Sequence, residues 1–324
     1  MSEFLLEVNN LEVKFSSPKG LINAVNRISF FLNKGEILGI VGESGSGKTV
    51  SALSLLNLLP VNGRITNGEI LFENQDLLLS SKKHIRQIRG NKISMIFQDP
   101  MSSLNPVLKI GTQVNESMIY HKQINPKSAL KNTLKLLKKT KIPSPEEGVN
   151  SYPHQFSGGM RQRAMIAMGL SCNPSILIAD EPTTALDVTV QAQIIELVND
   201  LKKEYGMSIV WITHDLGVLA SIADRVLVMY AGKIVEEASV FDIFSNPKHP
   251  YTKGLIDSIP RLDRNKSSGN LQTIEGAPPD LISYPKGCPF WERCRYTKDI
   301  CREMMPIKTK NTKDHYFACH NPLN

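Results

Sequence analysis

The apolar run Ile37-Leu38-Gly39-Ile40-Val41 leads directly into Gly42-Glu43-Ser44-Gly45-Ser46-Gly47-Lys48-Thr49. This segment has the form G-x-x-x-x-G-K-[ST], placed between a predicted buried strand and a predicted helix, where that spacing has a physical use. Glycines let successive backbone N–H groups curl around phosphate oxygens, and the positive end of the helix that starts near Lys48 points at them. Lys48 would reach the β- and γ-phosphates of a nucleotide, and the Thr49 hydroxyl would bind Mg²⁺.

The first 240 residues support such a unit. Strand patterns fall at residues 11–15, 28–32, 37–41, 68–72, 93–97, 176–179, 208–213 and 225–229. Helical patterns fall at 49–59 (stopped by Pro60), 110–121, 128–139, 158–172 and 188–204. Alternating β and α elements predict an α/β fold with a largely parallel sheet flanked by helices. Residues 98–172 read as a helical insertion into a main domain spanning 1–245. A polar stretch at 261–269 reads as a linker, and 246–324 as a smaller extension ending in a proline- and cysteine-rich tail.

Composition narrows the class. Over 324 residues, 41% hydrophobic and 21% charged residues describe a globular protein with a core of ordinary size. No uninterrupted apolar stretch approaches the roughly 18 residues that a membrane-spanning helix needs. The acidic start from Met1 to Glu7 lacks the pattern of a secretory signal, so the chain is expected in the cytosol unless a partner holds it at a membrane. The net charge of +7 owes much to Lys127, Lys131, Lys135, Lys138, Lys139 and Lys141, interleaved with leucines. That pattern reads as an amphipathic helix with a solvated lysine face and gives no reason to invoke nucleic acid. Cys172, alone in an apolar helical stretch, reads as a small buried hydrophobe.

Ile176-Leu177-Ile178-Ala179-Asp180-Glu181 brings two carboxylates to the carboxyl end of a strand, where open α/β sheets bind ligands. Asp180 would hold the Mg²⁺ shell, and Glu181 would polarise the attacking water. Phe156-Ser157-Gly158-Gly159-Met160 opens a helix, with Ser157 standing 23 residues before Asp180. Its hydroxyl and N–H groups make an anion-binding helix start. With these segments in order the chain resembles the ATP-binding-cassette (ABC) ATPases, whose signature is usually Leu-Ser-Gly-Gly-Gln; Phe156 and Met160 depart from it as in the peptide-importer branch. The resemblance covers about residues 5–240. It implies a P-loop NTPase nucleotide-binding domain with an antiparallel β portion, and a signature surface (Ser157, Gly158, Gly159 and Met160) that caps the γ-phosphate held by the opposite subunit. It further implies that Gln98 senses Mg²⁺ and the water, that Asp187 in the Ala185-Leu186-Asp187 loop crosses the dimer, that His214 contacts the γ-phosphate, and that Phe15 stacks on adenine. A core role for Phe15 is the alternative.

His249-Pro250-Tyr251-Thr252, Ala277-Pro278-Pro279 and Gly287-Cys288-Pro289-Phe290 resemble the C-terminal extension of oligopeptide and dipeptide importer ATPases. Cys288, Cys294, Cys301 and Cys319 are spaced C-x5-C-x6-C-x17-C. Four thiolates suit a structural [4Fe–4S] cluster or zinc, with His315 and His320 as substitute ligands; absent C-x2-C pairs favour iron–sulfur, and free thiols are the third reading. The resemblance implies an ATPase driving import of di- or oligopeptides from the cytoplasmic face of the inner membrane. Its implied partners are a paralogous ATPase in a heterodimer, two transmembrane permease subunits and an extracytoplasmic peptide-binding protein. The competing class is a soluble ABC ATPase of nucleic-acid repair or translation, which typically carries duplicated cassettes or coiled-coil insertions; neither is seen here. An exporter ATPase is disfavoured by the tail.

Overall fold

The computed structural model describes residues 4–184, 186–259, 273–312 and 314–324; the expected linker at 261–269 lies outside them. In chain order the elements are β1 (Leu6–Ser17), β2 (Gly20–Leu32), β3 (Ile37–Val41), α1 (Lys48–Leu55), β4 (Gly63–Phe72), β5 (Gln75–Asp76), α2 (Lys82–Ile88) and β6 (Ile93–Ile96). There follow α3 (Pro100–Ser103), α4 (Ile110–Lys122), α5 (Pro126–Lys139), α6 (Pro145–Gly148), α7 (Gly158–Leu170), β7 (Ile176–Asp180), α8 (Val188–Tyr205) and β8 (Ser208–Thr213). The chain ends with α9 (Leu216–Ile222), β9 (Arg225–Tyr230), β10 (Lys233–Ser239), α10 (Val240–Ser245), α11 (Pro250–Asp257), α12 (Ile300–Glu303), β11 (Thr309–Thr312) and β12 (His315–Phe317).

The chain divides into two compact units. The first holds the chain up to Leu32, Ile37–Leu78 and Thr213–Asn324; the second holds Asn33–Glu36 and Leu79–Ile212. In the first unit β2, β1, β4 and β5 form an antiparallel sheet in that order. Leu6, Val8, Leu11 and Val13 of β1 are fully buried; the alternation changes phase between Val8 and Leu11, where the strand has a register shift and Asn10 has φ 48°. A second set of strands runs β11-β12-β10-β9-β3. Here β3 lies parallel to β9, and all five of its residues are buried, which is why it reads as a continuous apolar run. Gly39 has a packing reason: a Cβ there would come within 2.8 Å of a Leu219 methyl on α9.

Strand β10 escaped the sequence reading because its centre, Glu236-Glu237, is acidic, yet both are buried. Glu236 accepts from the backbone N–H groups of Lys248 (2.6 Å) and His249 (2.8 Å) and meets His315 Nε2 at 2.7 Å. Glu237 pairs with Arg225 and, at 2.7 Å, with Lys308. Buried carboxylates persist only when paired and hydrogen-bonded in this way. Two of these partners, His315 and Lys308, come from the tail, and β12 pairs with β10 alongside them. The extension is therefore stitched to the first unit by charge as well as by strand pairing.

In the second unit β8, β7 and β6 form a parallel set. Between β6 and β7 the chain makes the helices α3 to α7, with α4, α5 and α7 packed on one another. Asn125 caps α5 through Ser128 N–H, with Pro126 in its first turn. Helix α5 buries Ala129, Thr133, Leu136 and Leu137, while all six lysines of the run from Lys127 to Lys141 are exposed, so the solvated-face reading fits. Helix α1 ends at Leu55 rather than residue 59, because the chain turns at Asn57 (φ 50°), a residue type that tolerates the left-handed region. Cys172 is 1% exposed, and burial raises its thiol pKa. Among the described residues no helix is long and apolar enough to cross a membrane.

His249 caps α11, its Nδ1 accepting from Tyr251 N–H at 3.1 Å. The ring is 1% exposed, and its Nε2 finds no hydrogen-bond partner among the described residues. Burial pushes its pKa down to about 4, against the opposing pull of Glu236. The native state thus holds His249 neutral, and its contribution is fully present above the unfolded value near 6.5 and lost as pH falls towards about 4. The full effect is on the order of 3 kcal/mol. His249→Asn keeps a capping oxygen without titrating. Thermal melts from pH 7 to 4.5 should therefore show a shallower loss of Tm in the variant than in the parent; parallel curves would contradict this assignment.

Candidate functional site

The loop between β3 and α1 is held by contacts that only glycine permits. A Cβ on Gly42 would stand 2.2 Å from the Met229 carbonyl oxygen, and one on Gly47 (φ 99°) 2.5 Å from the Ala24 carbonyl oxygen. Gly45 also has positive φ, 77°. Lys48 is 5% exposed and lies across the loop, its ammonium donating to the carbonyls of Gly42 (2.7 Å) and Glu43 (2.8 Å). Ser46 accepts from Gly232 N–H through its carbonyl at 3.0 Å. Ser44, Gly45 and Thr49 are exposed, so the outer rim of the loop faces solvent. Backbone donors on a helix start beside a buried cation form an anion cradle.

In the second unit the strand end carries the acids expected of it. Asp180, the last residue of β7, is 2% exposed. Glu181 follows with φ 47°, sparsely populated for a residue of its type, and its N–H donates to the Ile212 carbonyl at 2.9 Å. Its carboxylate accepts from Gln98 Nε2 at 3.0 Å and from Thr184 Oγ1 at 2.9 Å. Gln98, in the loop after β6, thus meets a residue 83 positions away, aimed by two hydrogen bonds. Thr184 is the part that sequence reasoning missed; one hydroxyl in a Thr-Thr pair carries no separate signal.

Ser157 caps α7 by accepting from Met160 N–H at 3.3 Å. Phe156 is 4% exposed and anchors the turn, while Ser157 and Gly158 are exposed. Gly159 is tight for a separate reason: a Cβ there would come within 2.9 Å of Val190 on α8. Asp187 caps α8 through Val190 N–H at 2.9 Å; of its loop, Ala185 lies outside the described residues. His214 is exposed just beyond β8. Phe15 is half-buried, with its ring over Gly63, where a Cβ would come within 2.7 Å of it.

The expected four-thiolate metal site is not met. Among the described residues no three histidines, cysteines or acidic residues are gathered to hold a metal ion. Cys288 N–H donates to the Cys301 carbonyl at 2.8 Å, and burial pushes the Cys288 thiol up to about 12 and Cys319 up to about 11. Burial also raises Cys294. The substitute ligands are committed elsewhere, His315 to Glu236 and His320 to the Met304 carbonyl at 2.8 Å. The cysteines pack the tail, and neither an iron–sulfur cluster nor zinc is supported.

Residues 25–184 match the ABC transporter family, and residues 235–301 match the oligopeptide/dipeptide transporter C-terminal region. The chain is 52% identical to the dipeptide transport ATP-binding protein DppD of Bacillus subtilis, over 98% of this chain and 94% of that relative. It is 50% identical to the oligopeptide transport ATP-binding protein OppD of Salmonella typhimurium, over 98% and 94%. Among solved structures it is similar to the ATP-binding cassette MJ0796, in a dimeric post-hydrolysis state bound to ADP and Pi. That similarity has a TM-score of 0.66 at 28% identity, covering 72% of this chain and 98% of that one.

Gly42→Ala places a methyl against rigid backbone, so the loop must shift. The expected cost is about 1–3 kcal/mol of stability, read by chemical denaturation, together with loss of phosphate-ligand binding. A variant as stable as the parent and still binding nucleotide would refute the stated role of Gly42.

Proposed function

This chain belongs to the ABC transporter family, among the ATP-binding proteins of oligopeptide and dipeptide transporters, and from that membership we infer that it hydrolyses ATP to drive peptide import through a membrane complex. The observation that carries the inference is the glycine loop with the Lys48 ammonium buried across it, 2.7 Å and 2.8 Å from two loop carbonyls. ATP would draw Lys48 off those carbonyls onto the β- and γ-phosphates, while loop N–H groups and the start of α1 take the remaining oxygens. Phe15, whose half-buried ring lies against Gly63, is assigned to stacking on adenine.

Thr49, Asp180 and Gln98 are each assigned to magnesium, since a hydroxyl, a carboxylate and an amide oxygen are the hard ligands it takes. Mg²⁺ held there would neutralise phosphate charge. Glu181 orients a water and accepts its proton, with Gln98 and Thr184 fixing the carboxylate. His214 is assigned to the γ-phosphate. Ser157, Gly158, Gly159 and Met160 are assigned to the nucleotide of an opposing subunit, and Asp187 to the crossing between subunits. A paralogous ATPase is the proposed counterpart, with two permease subunits, an extracytoplasmic peptide-binding protein, and a station on the cytoplasmic face of the inner membrane. The match over residues 235–301 favours this reading over a soluble ATPase of repair or translation.

Glu181→Gln should bind ATP and lower turnover on the order of 100-fold or more, leaving a closed dimer visible by size-exclusion chromatography. Turnover equal to the parent would move the water-activating role elsewhere. Lys48→Ala should weaken nucleotide binding itself by at least roughly tenfold, measured by calorimetry. Co-purification with integral membrane subunits supports a transporter, whereas retention on nucleic acid supports the soluble class.

A further inference from the structure

Glu43 is the second residue of the phosphate loop, and an acid there is electrostatically out of place beside an incoming polyanion. Its environment comes from the far end of the chain. Arg293 grips its carboxylate with both terminal nitrogens, Nη1 to Oε2 at 2.7 Å and Nη2 to Oε1 at 3.1 Å. The guanidinium side chain is 6% exposed. Its other donors are also engaged: Nε with the Glu275 carbonyl (2.9 Å), Nη2 with the Ile274 carbonyl (3.2 Å) and Nη1 with Tyr230 Oη (3.2 Å). Five N–H groups thus meet five acceptors, which leaves the fork one orientation.

The same acid is tied through its backbone. Glu43 N–H donates to Tyr251 Oη at 2.9 Å, and Tyr251 is fully buried. Beyond the carboxylate, Pro278, Pro279 and Leu281 line a cavity of about 140 Å³ whose other wall is Glu43 to Ser46 with Tyr230 and Ala231. Tyr284 Oη donates to the Ala231 carbonyl at 2.9 Å, fixing that segment beside the loop. The 251, 278–284 and 293 regions of the extension therefore converge on one side of the phosphate loop.

Resting on the ATP-site reading above, we propose that Arg293 is a positioning residue for ATP, pinning the Glu43 carboxylate so that no free negative charge competes for the loop N–H groups. A released carboxylate would act in two ways. It would repel the triphosphate, and it would accept hydrogen bonds from the donors that the phosphates need. A lysine in its place supplies charge without the fork and cannot satisfy both carboxylate oxygens together with the neighbouring carbonyls. The C-terminal extension thereby becomes part of the nucleotide site.

The test compares ATPase kinetics and nucleotide calorimetry of the full-length protein in its transporter for the parent, Arg293→Ala, Arg293→Lys, Glu43→Gln and the Glu43→Gln/Arg293→Ala double variant, with Mg-ATP as probe. Arg293→Ala should raise KM for ATP about tenfold with kcat within about twofold, and Arg293→Lys about threefold. In the Glu43→Gln background the same alanine should change KM by no more than about twofold, because the carboxylate to be restrained is gone. An equal rise in both backgrounds would mean general damage to the fold and would overturn the proposal, as would an unchanged KM with only Tm lowered. Should Arg293→Ala fail to fold, the cycle built on Arg293→Lys makes the same comparison. A parent protein that binds no ATP overturns the ATP-site reading and this proposal together; a parent that binds ATP with Arg293→Ala indistinguishable from it overturns this proposal alone.

Discussion

Backbone pressed against backbone is the constraint on which the first unit's chemistry depends. Gly42 lies against the Met229 carbonyl and Gly47 against the Ala24 carbonyl, so the loop after β3 is shaped by β9 and β2 at distances that no side chain permits. The Lys48 ammonium then satisfies the two carbonyls that the curl turns inward. The loop backbone is thus shaped by its neighbours before a ligand arrives, which lowers the cost of ordering it on binding. The left-handed backbone at Glu181, held by its N–H bond to the Ile212 carbonyl while Gln98 and Thr184 hold the carboxylate, follows the same logic in the second unit.

A second pair of constraints is electrostatic. Glu236 and Glu237 are adjacent in sequence, so their side chains point to opposite faces of β10, and each needs its own partners. One is answered by two backbone N–H groups and His315, the other by Arg225 and Lys308. Removing one partner of such a set leaves an uncompensated buried charge, which is far more costly than never having buried it. The tail is thereby bound to β10. The same extension supplies Tyr251 and Arg293 to Glu43.

Local pattern was legible where burial and period coincide. Strand β3 and strand β8 were delimited by their apolar runs, and the strand-loop-helix motif by its glycines and lysine. Helix α5 showed itself through lysines on one face. Strand β10 did not, because its buried residues are acidic and periodicity counts only apolar ones. The cysteines are the converse case: spacing along the chain suggested a shared ligand, whereas the backbone gives Cys288 and Cys301 a carbonyl contact and no metal-holding group of three is gathered among the described residues.

By itself the sequence determined the chemistry on offer: a phosphate loop, an acidic strand end, a serine-glycine helix start and a peptide-importer tail, because each is a short stretch whose function follows from neighbouring residues. Only the tertiary structure decided which distant residues serve those stretches. Gln98 beside Glu181, and Arg293 and Tyr251 on Glu43, are pairings across 83, 250 and 208 positions. A lone glutamine, arginine or tyrosine carries no local pattern. Its role comes into being when folding removes water and leaves a charge or a donor with a single partner to meet.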